Sequence, residues 1–148
     1  MKKEKRKKSG KTLQNLLKFW ELFIGIGAVL GAVMMIFSPS GYLLGMAPML
    51  PYFQVLPFAD ILFQSFLFPG IALLCVNGLT NLTAFYLLIR KKKYASIAGM
   101  CCGIILMLWI CIQFYIFPLN FMSTIYFFFG LLEVLTGYFL YRKQKAKI

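Results

Sequence analysis

Four consecutive cations, Arg90-Lys91-Lys92-Lys93, stand between two long apolar runs. Neither Ile61 to Ile89 before them nor Ala95 to Phe117 after them carries a charge. At the centre of a spanning helix each cation costs about 2.5–3.5 kcal/mol. The knot must therefore lie in water, with a membrane-spanning segment on either side. Short loops rich in Lys and Arg stay cytoplasmic, so the same four residues also set the direction of the chain.

Composition agrees. Hydrophobic residues make up 61% of the 148-residue chain, against about 45–50% in a soluble domain. The net charge is +12, which in a soluble protein would raise nucleic-acid binding. Here the 16 Lys and Arg fall into three clusters, Lys2 to Lys18, Arg90 to Lys93 and Arg142 to Lys147, with none between Phe19 and Ile89 or between Tyr94 and Tyr141. Topology explains that placement, so no nucleic-acid partner is expected. Anionic lipid is expected at the basic segments, at about 1 kcal/mol per cation near the surface. Cys75, Cys101, Cys102 and Cys111 all fall inside apolar runs and read as small buried side chains. Histidine is absent, which removes the usual haem and zinc ligand and the usual neutral-pH base. Neither a cofactor nor a metal is expected, and no catalytic motif is present.

The expected fold is an all-α, integral-membrane four-helix bundle with both termini cytoplasmic. Residues 1–18 read as a basic cytoplasmic arm, disordered to about Lys11, and 142–148 as a basic tail. Between them the domain 19–141 holds spans at about 19–37, 61–89, 94–117 and 121–141. The first apolar run exceeds the usual ~7–15 residues of a signal peptide and lacks a clear cleavage site, so it reads as an uncleaved span. Ser38-Pro39-Ser40-Gly41 ends it, and Pro48, Pro51 and Pro57 forbid a continuous helix in the Pro-rich external loop that follows. Span two begins near Ile61 or Phe66, and Pro69-Gly70 predicts a kink in it. Pro118-Leu119-Asn120 is a short turn that forces spans three and four to be antiparallel neighbours. Gly27/Gly31 and Gly99/Gly103 form GxxxG pairs suited to close helix packing.

Ionisable groups inside a membrane are expensive to keep and are functional candidates by default. Three are present: Glu21, Asp60 and Glu133. Glu21, three residues from Lys18, reads as an interfacial anchor paired with it. Glu133 lies nine residues before Arg142, about 13 Å from the basic end. The same count places Asn81 before Arg90 and Cys102 after Lys93. Glu133, Asn81, Asn77 and Cys102 therefore form a candidate intramembrane polar site, with the Glu133 carboxyl bonded to the Asn81 amide. A second, external vestibule is expected from Asp60, Gln64, Trp109, Gln113 and Asn120 beneath the loop.

Ser38-Pro39-Ser40-Gly41, Leu44-Gly45, Phe68-Pro69-Gly70, the knot at Arg90 and Trp109-x-x-x-Gln113 together make the chain resemble an uncharacterised family of small bacterial four-span membrane proteins. In that pattern an acidic residue often precedes Pro39, where Ser38 stands here. The resemblance implies a multi-pass bacterial inner-membrane protein and carries no activity with it. The leading expectation is a non-catalytic accessory, scaffold or oligomerising subunit, as a homo-oligomer or in a larger complex. The alternative is a small transporter or channel, working as an oligomer, with Glu133 as its proton or ligand site. An enzyme acting on lipid or quinone is the third and least supported by residue content.

Overall fold

The computed structural model describes residues 2–146, with side chains from Lys8 onward. It is all-helical, with no strand among the described residues. Four helices are long and apolar enough to cross a membrane. They are α1 (Lys2–Phe37), α2 (Leu67–Ile89), α3 (Ala95–Ile116) and α4 (Phe121–Lys145). At 1.5 Å per residue α3, with 22 residues, is about 33 Å long, which matches a hydrocarbon core of about 30 Å.

The boundaries differ from expectation in three places. First, the helix does not give way to a disordered arm but runs back to Lys2. Lys, Arg, Glu and Gln are good helix formers, and an apolar helix already formed removes the nucleation cost for adding them. Met1, and residues 147 and 148 of the expected tail, lie outside the described residues. Second, α2 starts at Leu67, and Ala59–Leu62 is a separate helical turn. Third, Pro69 does not kink the span. It sits in the first turn of α2, where its missing N–H would have had no intrahelical partner anyway. The irregularity of α2 lies one turn on, in a π-helical stretch over Leu74–Leu79.

The connection from α1 to α2 is built of short turns, Tyr42–Leu44, Ala47–Val55 and Ala59–Leu62. The Phe66 amide donates to the Pro39 carbonyl at 2.8 Å and closes the connection on itself. Gly41, at φ 76°, must be glycine: a Cβ there would lie 2.5 Å from the Phe66 ring.

Residue pairs fix how the four helices pack. Gly25 of α1 meets Asn81 and Leu82 of α2, and Gly70 of α2 meets Ala32 and Met35 of α1, so the two run antiparallel. Gly103 of α3 faces Gly130 and Val134 of α4, and Gly137 faces Ser96 and Met100, again antiparallel. Trp20 and Phe23 of α1 pack on Phe129 of α4. Each helix thus touches its sequence neighbour, and α4 returns to α1. The up-down order puts every described Lys and Arg at one end, where Arg90, Lys93 and Arg142 each lie over a tyrosine ring, Tyr86, Tyr94 and Tyr138.

The interior is layered. Leu17, Leu88, Ala95 and Leu140 close it near the basic end. Ile24, Leu106 and Ile110 fill the middle. Phe53, Phe66, Ile116 and Phe117 fill the far end. Between the first two layers, Glu21 and Glu133 are buried beside Cys102 and Ala84.

Candidate functional site

Glu21, Asn77, Asn81 and Glu133 are all 0% exposed. Each helix position explains why. Glu21 shares the α1 face of Leu17, Ile24, Ala28 and Ala32, all buried. Glu133 lies between Gly130 and Gly137 on the α4 stripe that presses against α3. Asn77 and Asn81 stand one turn apart on the α2 face turned to α1, where Asn81 lies against Gly25. The glycines bring these side chains together by removing bulk: a Cβ on Gly99 would come 2.7 Å from Glu21 Oε1.

Glu21 lies against Gly99 of α3, and Val134, next to Glu133, lies against Gly103 one turn further along that helix, with Cys102 between the two glycines. Cys102 in turn sits beside the Thr80 hydroxyl. Thr80 donates to the Val76 carbonyl at 2.6 Å, and Asn81 Nδ2 donates to the Asn77 carbonyl at 2.9 Å. That second bond replaces the expected one between Asn81 and Glu133. The i−4 carbonyl is always within reach of an Asn side chain on its own helix, whereas Glu133 belongs to another helix.

The remaining polar atoms are orphaned. Both oxygens of Glu21, both oxygens of Glu133, the whole Asn77 amide and Asn81 Oδ1 are buried without a hydrogen-bond partner. A buried polar group without a partner costs about 1–3 kcal/mol, and more when charged. Three helices thus carry two buried carboxyls and two buried carboxamides whose acceptor oxygens are unsatisfied. Among the described residues no three His, Cys, Asp or Glu are grouped as metal ligands.

The four residues expected in this layer, Glu133, Asn77, Asn81 and Cys102, are all buried. Glu21 is the one that sequence reasoning misplaced. It is buried with no ion pair to Lys18 rather than held at an interface. The signal was available in the apolar spacing Leu17, Ile24, Ala28, on which Glu21 falls one turn after Leu17.

The expected vestibule separates into parts. Trp109 and Gln113 line a cavity of about 390 Å³ at the far end, roofed by the α1–α2 connection. Asp60 and Gln64 are exposed and do not line it; the Gln64 amide donates to the Asp60 carbonyl. Asp60 lies in the turn Ala59–Leu62 and Gln64 just after it, both ahead of α2. Asn120 caps α4, accepting from the Ser123 amide at 2.8 Å. Ser123 Oγ donates to Gln113 Oε1 at 3.0 Å and links α4 to α3. The cavity is otherwise walled by apolar side chains rather than by the polar set expected.

No protein-family model matches this chain, and neither does any curated protein or solved structure.

Proposed function

We propose that the chain crosses the bacterial inner membrane four times, basic end to the cytoplasm, and that Glu21 and Glu133 form an intramembrane site that takes up protons or a small cation. The function this implies is transport or conduction coupled to that uptake, as an oligomer or within a larger membrane complex. The observation that carries it is the orphaned layer: two carboxyls and two Asn side chains, fully buried, with free acceptors on three helices. Two carboxylates cannot stand charged together in such surroundings without protons or a cation to offset them. A chain that needed only polar glue between its helices would satisfy the groups against one another.

The scaffold reading rests on glycine-lined faces and on the absence of catalytic groups. Gly25, Gly99, Gly103, Gly130 and Gly137 each approach a helix of the same chain. That leaves the polar layer as the stronger lead.

The test is proton flux into proteoliposomes driven by a potassium-diffusion potential, read with an entrapped pH dye. Glu133→Gln and Glu21→Gln are each expected to reduce protein-dependent flux at least tenfold, while Asp60→Asn leaves it unchanged. A parallel measurement follows the infrared carboxyl band through a pH step, which should lose intensity in each variant. Flux and band both unaltered in the two variants would overturn the assignment.

A further inference from the structure

The far-end cavity shares no lining residue with the buried carboxyls and carboxamides. Its walls are aromatic. The Phe53 and Phe63 rings stack at 5.5 Å, Phe68 meets Phe63 edge-on at 5.3 Å, and Phe117 meets Phe53 edge-on at 5.1 Å. All four line the cavity. Its volume of about 390 Å³ falls within the ~300–1,000 Å³ of small-molecule sites.

Its polar side chains are two, Trp109 and Gln113. The Trp109 Nε1–H is buried without a partner, and an indole N–H can only donate. Gln113 spends its carbonyl oxygen on Ser123, which leaves the amide N–H groups to face elsewhere. Both side chains stand one turn apart on α3 and both line the cavity. A plain hydrocarbon chain would leave the buried Trp109 donor unpaired, and a cation would meet a donor where it needs an acceptor. The pocket suits a flat neutral ring bearing acceptor oxygens.

Access fits as well. Phe58, Phe68 of α2 and Ile112 of α3 line the cavity, and the latter two are exposed on the outer faces of their helices, so a molecule dissolved in lipid reaches it from the side. Phe58 is held at φ 61°, a left-handed conformation that a bulky residue adopts only when its surroundings impose it. Such strain collects at ligand clamps.

We infer that the cavity under the α1–α2 connection binds a neutral, membrane-dissolved carbonyl compound of the quinone type, its ring between the phenylalanines and its oxygens on Trp109 and Gln113. Trp109 lies seven residues before the end of α3 at Ile116, about 10 Å along the axis. That is too deep for the ester of an ordinary glycerolipid anchored at the surface, and it favours a carbonyl carried on the ring itself.

The test uses Trp20→Phe protein in nanodiscs, so that Trp109 is the sole tryptophan. Menadione is titrated and Trp109 fluorescence followed. Quenching is expected to saturate, and 2-methylnaphthalene, which has the same ring system without the oxygens, is expected to compete at least tenfold more weakly. Calorimetric titration of Trp109→Phe and Gln113→Leu should show roughly three- to tenfold weaker menadione binding each, the value of one neutral hydrogen bond. Ala72→Phe, which fills the cavity and leaves both donors in place, should abolish saturation. Quenching that rises linearly without saturating, or equal affinity for the two ring compounds, would overturn the inference. If a donor variant fails to fold, the comparison of the two compounds on the Trp20→Phe protein alone decides.

Discussion

A carboxyl that is buried and unbonded is a liability to stability, and Glu21 and Glu133 are two such groups in one layer. Replacing buried charged groups with apolar side chains of similar volume is often neutral or stabilising by about 1–4 kcal/mol. The double variant Glu21→Met, Glu133→Leu is therefore expected to unfold at the same or a higher temperature than the parent in nanodiscs, while losing the proton response. A fall in the midpoint of several degrees would instead make the two residues structural. Counting residues from the basic ends is enough to single out Glu133, Asn81 and Cys102, each of which is buried, because α2, α3 and α4 each meet those ends at a clear charge boundary. It fails for Glu21 because Lys18 does not mark such a boundary. Leu17, its neighbour, already packs with Leu88, Ala95 and Leu140, so the interior begins before the last cation of the arm. The apolar face of α1, not the distance to a charge, locates Glu21.

Between helices the glycines decide spacing, and they are not equivalent. A Cβ on Gly103 would sit 2.7 Å from the Gly130 carbonyl and 3.0 Å from the Val134 backbone nitrogen, and neither can move aside. A Cβ on Gly27 would meet only the Tyr126 hydroxyl at 3.4 Å, an ordinary contact. Gly103→Val is accordingly expected to destabilise by at least about 1–3 kcal/mol through overpacking. Gly27→Ala is expected to leave the melting midpoint within a degree or two; the check is thermal unfolding of both in one nanodisc preparation. A GxxxG spacing in the sequence does not separate these cases. Gly99 and Gly103 both approach backbone or buried side chains closely, whereas Gly27 and Gly31 are both in ordinary contact. Pro69-Gly70 carries a similar ambiguity. Pro disfavours a helix interior and tolerates its first turn, so the same dipeptide marks a kink or a start, and only the neighbouring turn at Ala59–Leu62 decides for a start. The π-helical stretch at Leu74–Leu79 has no sequence signature at all. It stands directly where Asn77 joins the polar layer, and π-turns collect at functional sites.

On the scale of the whole chain, charge placement and helix packing give the same arrangement by independent routes. The sequence separates its cations into three clusters by long neutral runs. The up-down packing, fixed by pairs such as Gly25 with Asn81 and Gly103 with Gly130, then gathers the described members of all three clusters at one end. The four long apolar helices were thus legible from hydropathy and charge alone, because a bilayer imposes length and neutrality on every span. The α1–α2 connection was not, since its turns depend on local backbone bonds such as Phe66 to Pro39 and on Phe58 adopting a left-handed conformation. The far-end cavity exists only because that connection folds over α3, which is why Trp109 and Gln113 could be singled out but Asp60 and Gln64 were wrongly grouped with them. Orientation follows if the basic end stays cytoplasmic, and it can be measured with a membrane-impermeant maleimide. In a background with all four cysteines replaced, Leu119→Cys at the α3–α4 turn, 81% exposed, is expected to label in intact cells. Lys92→Cys should label only in inverted vesicles. Labelling of Lys92→Cys from outside would invert the molecule, putting the Glu21–Glu133 layer nearer the outer face and the aromatic cavity nearer the cytoplasm, so that protons would enter the layer from the opposite side.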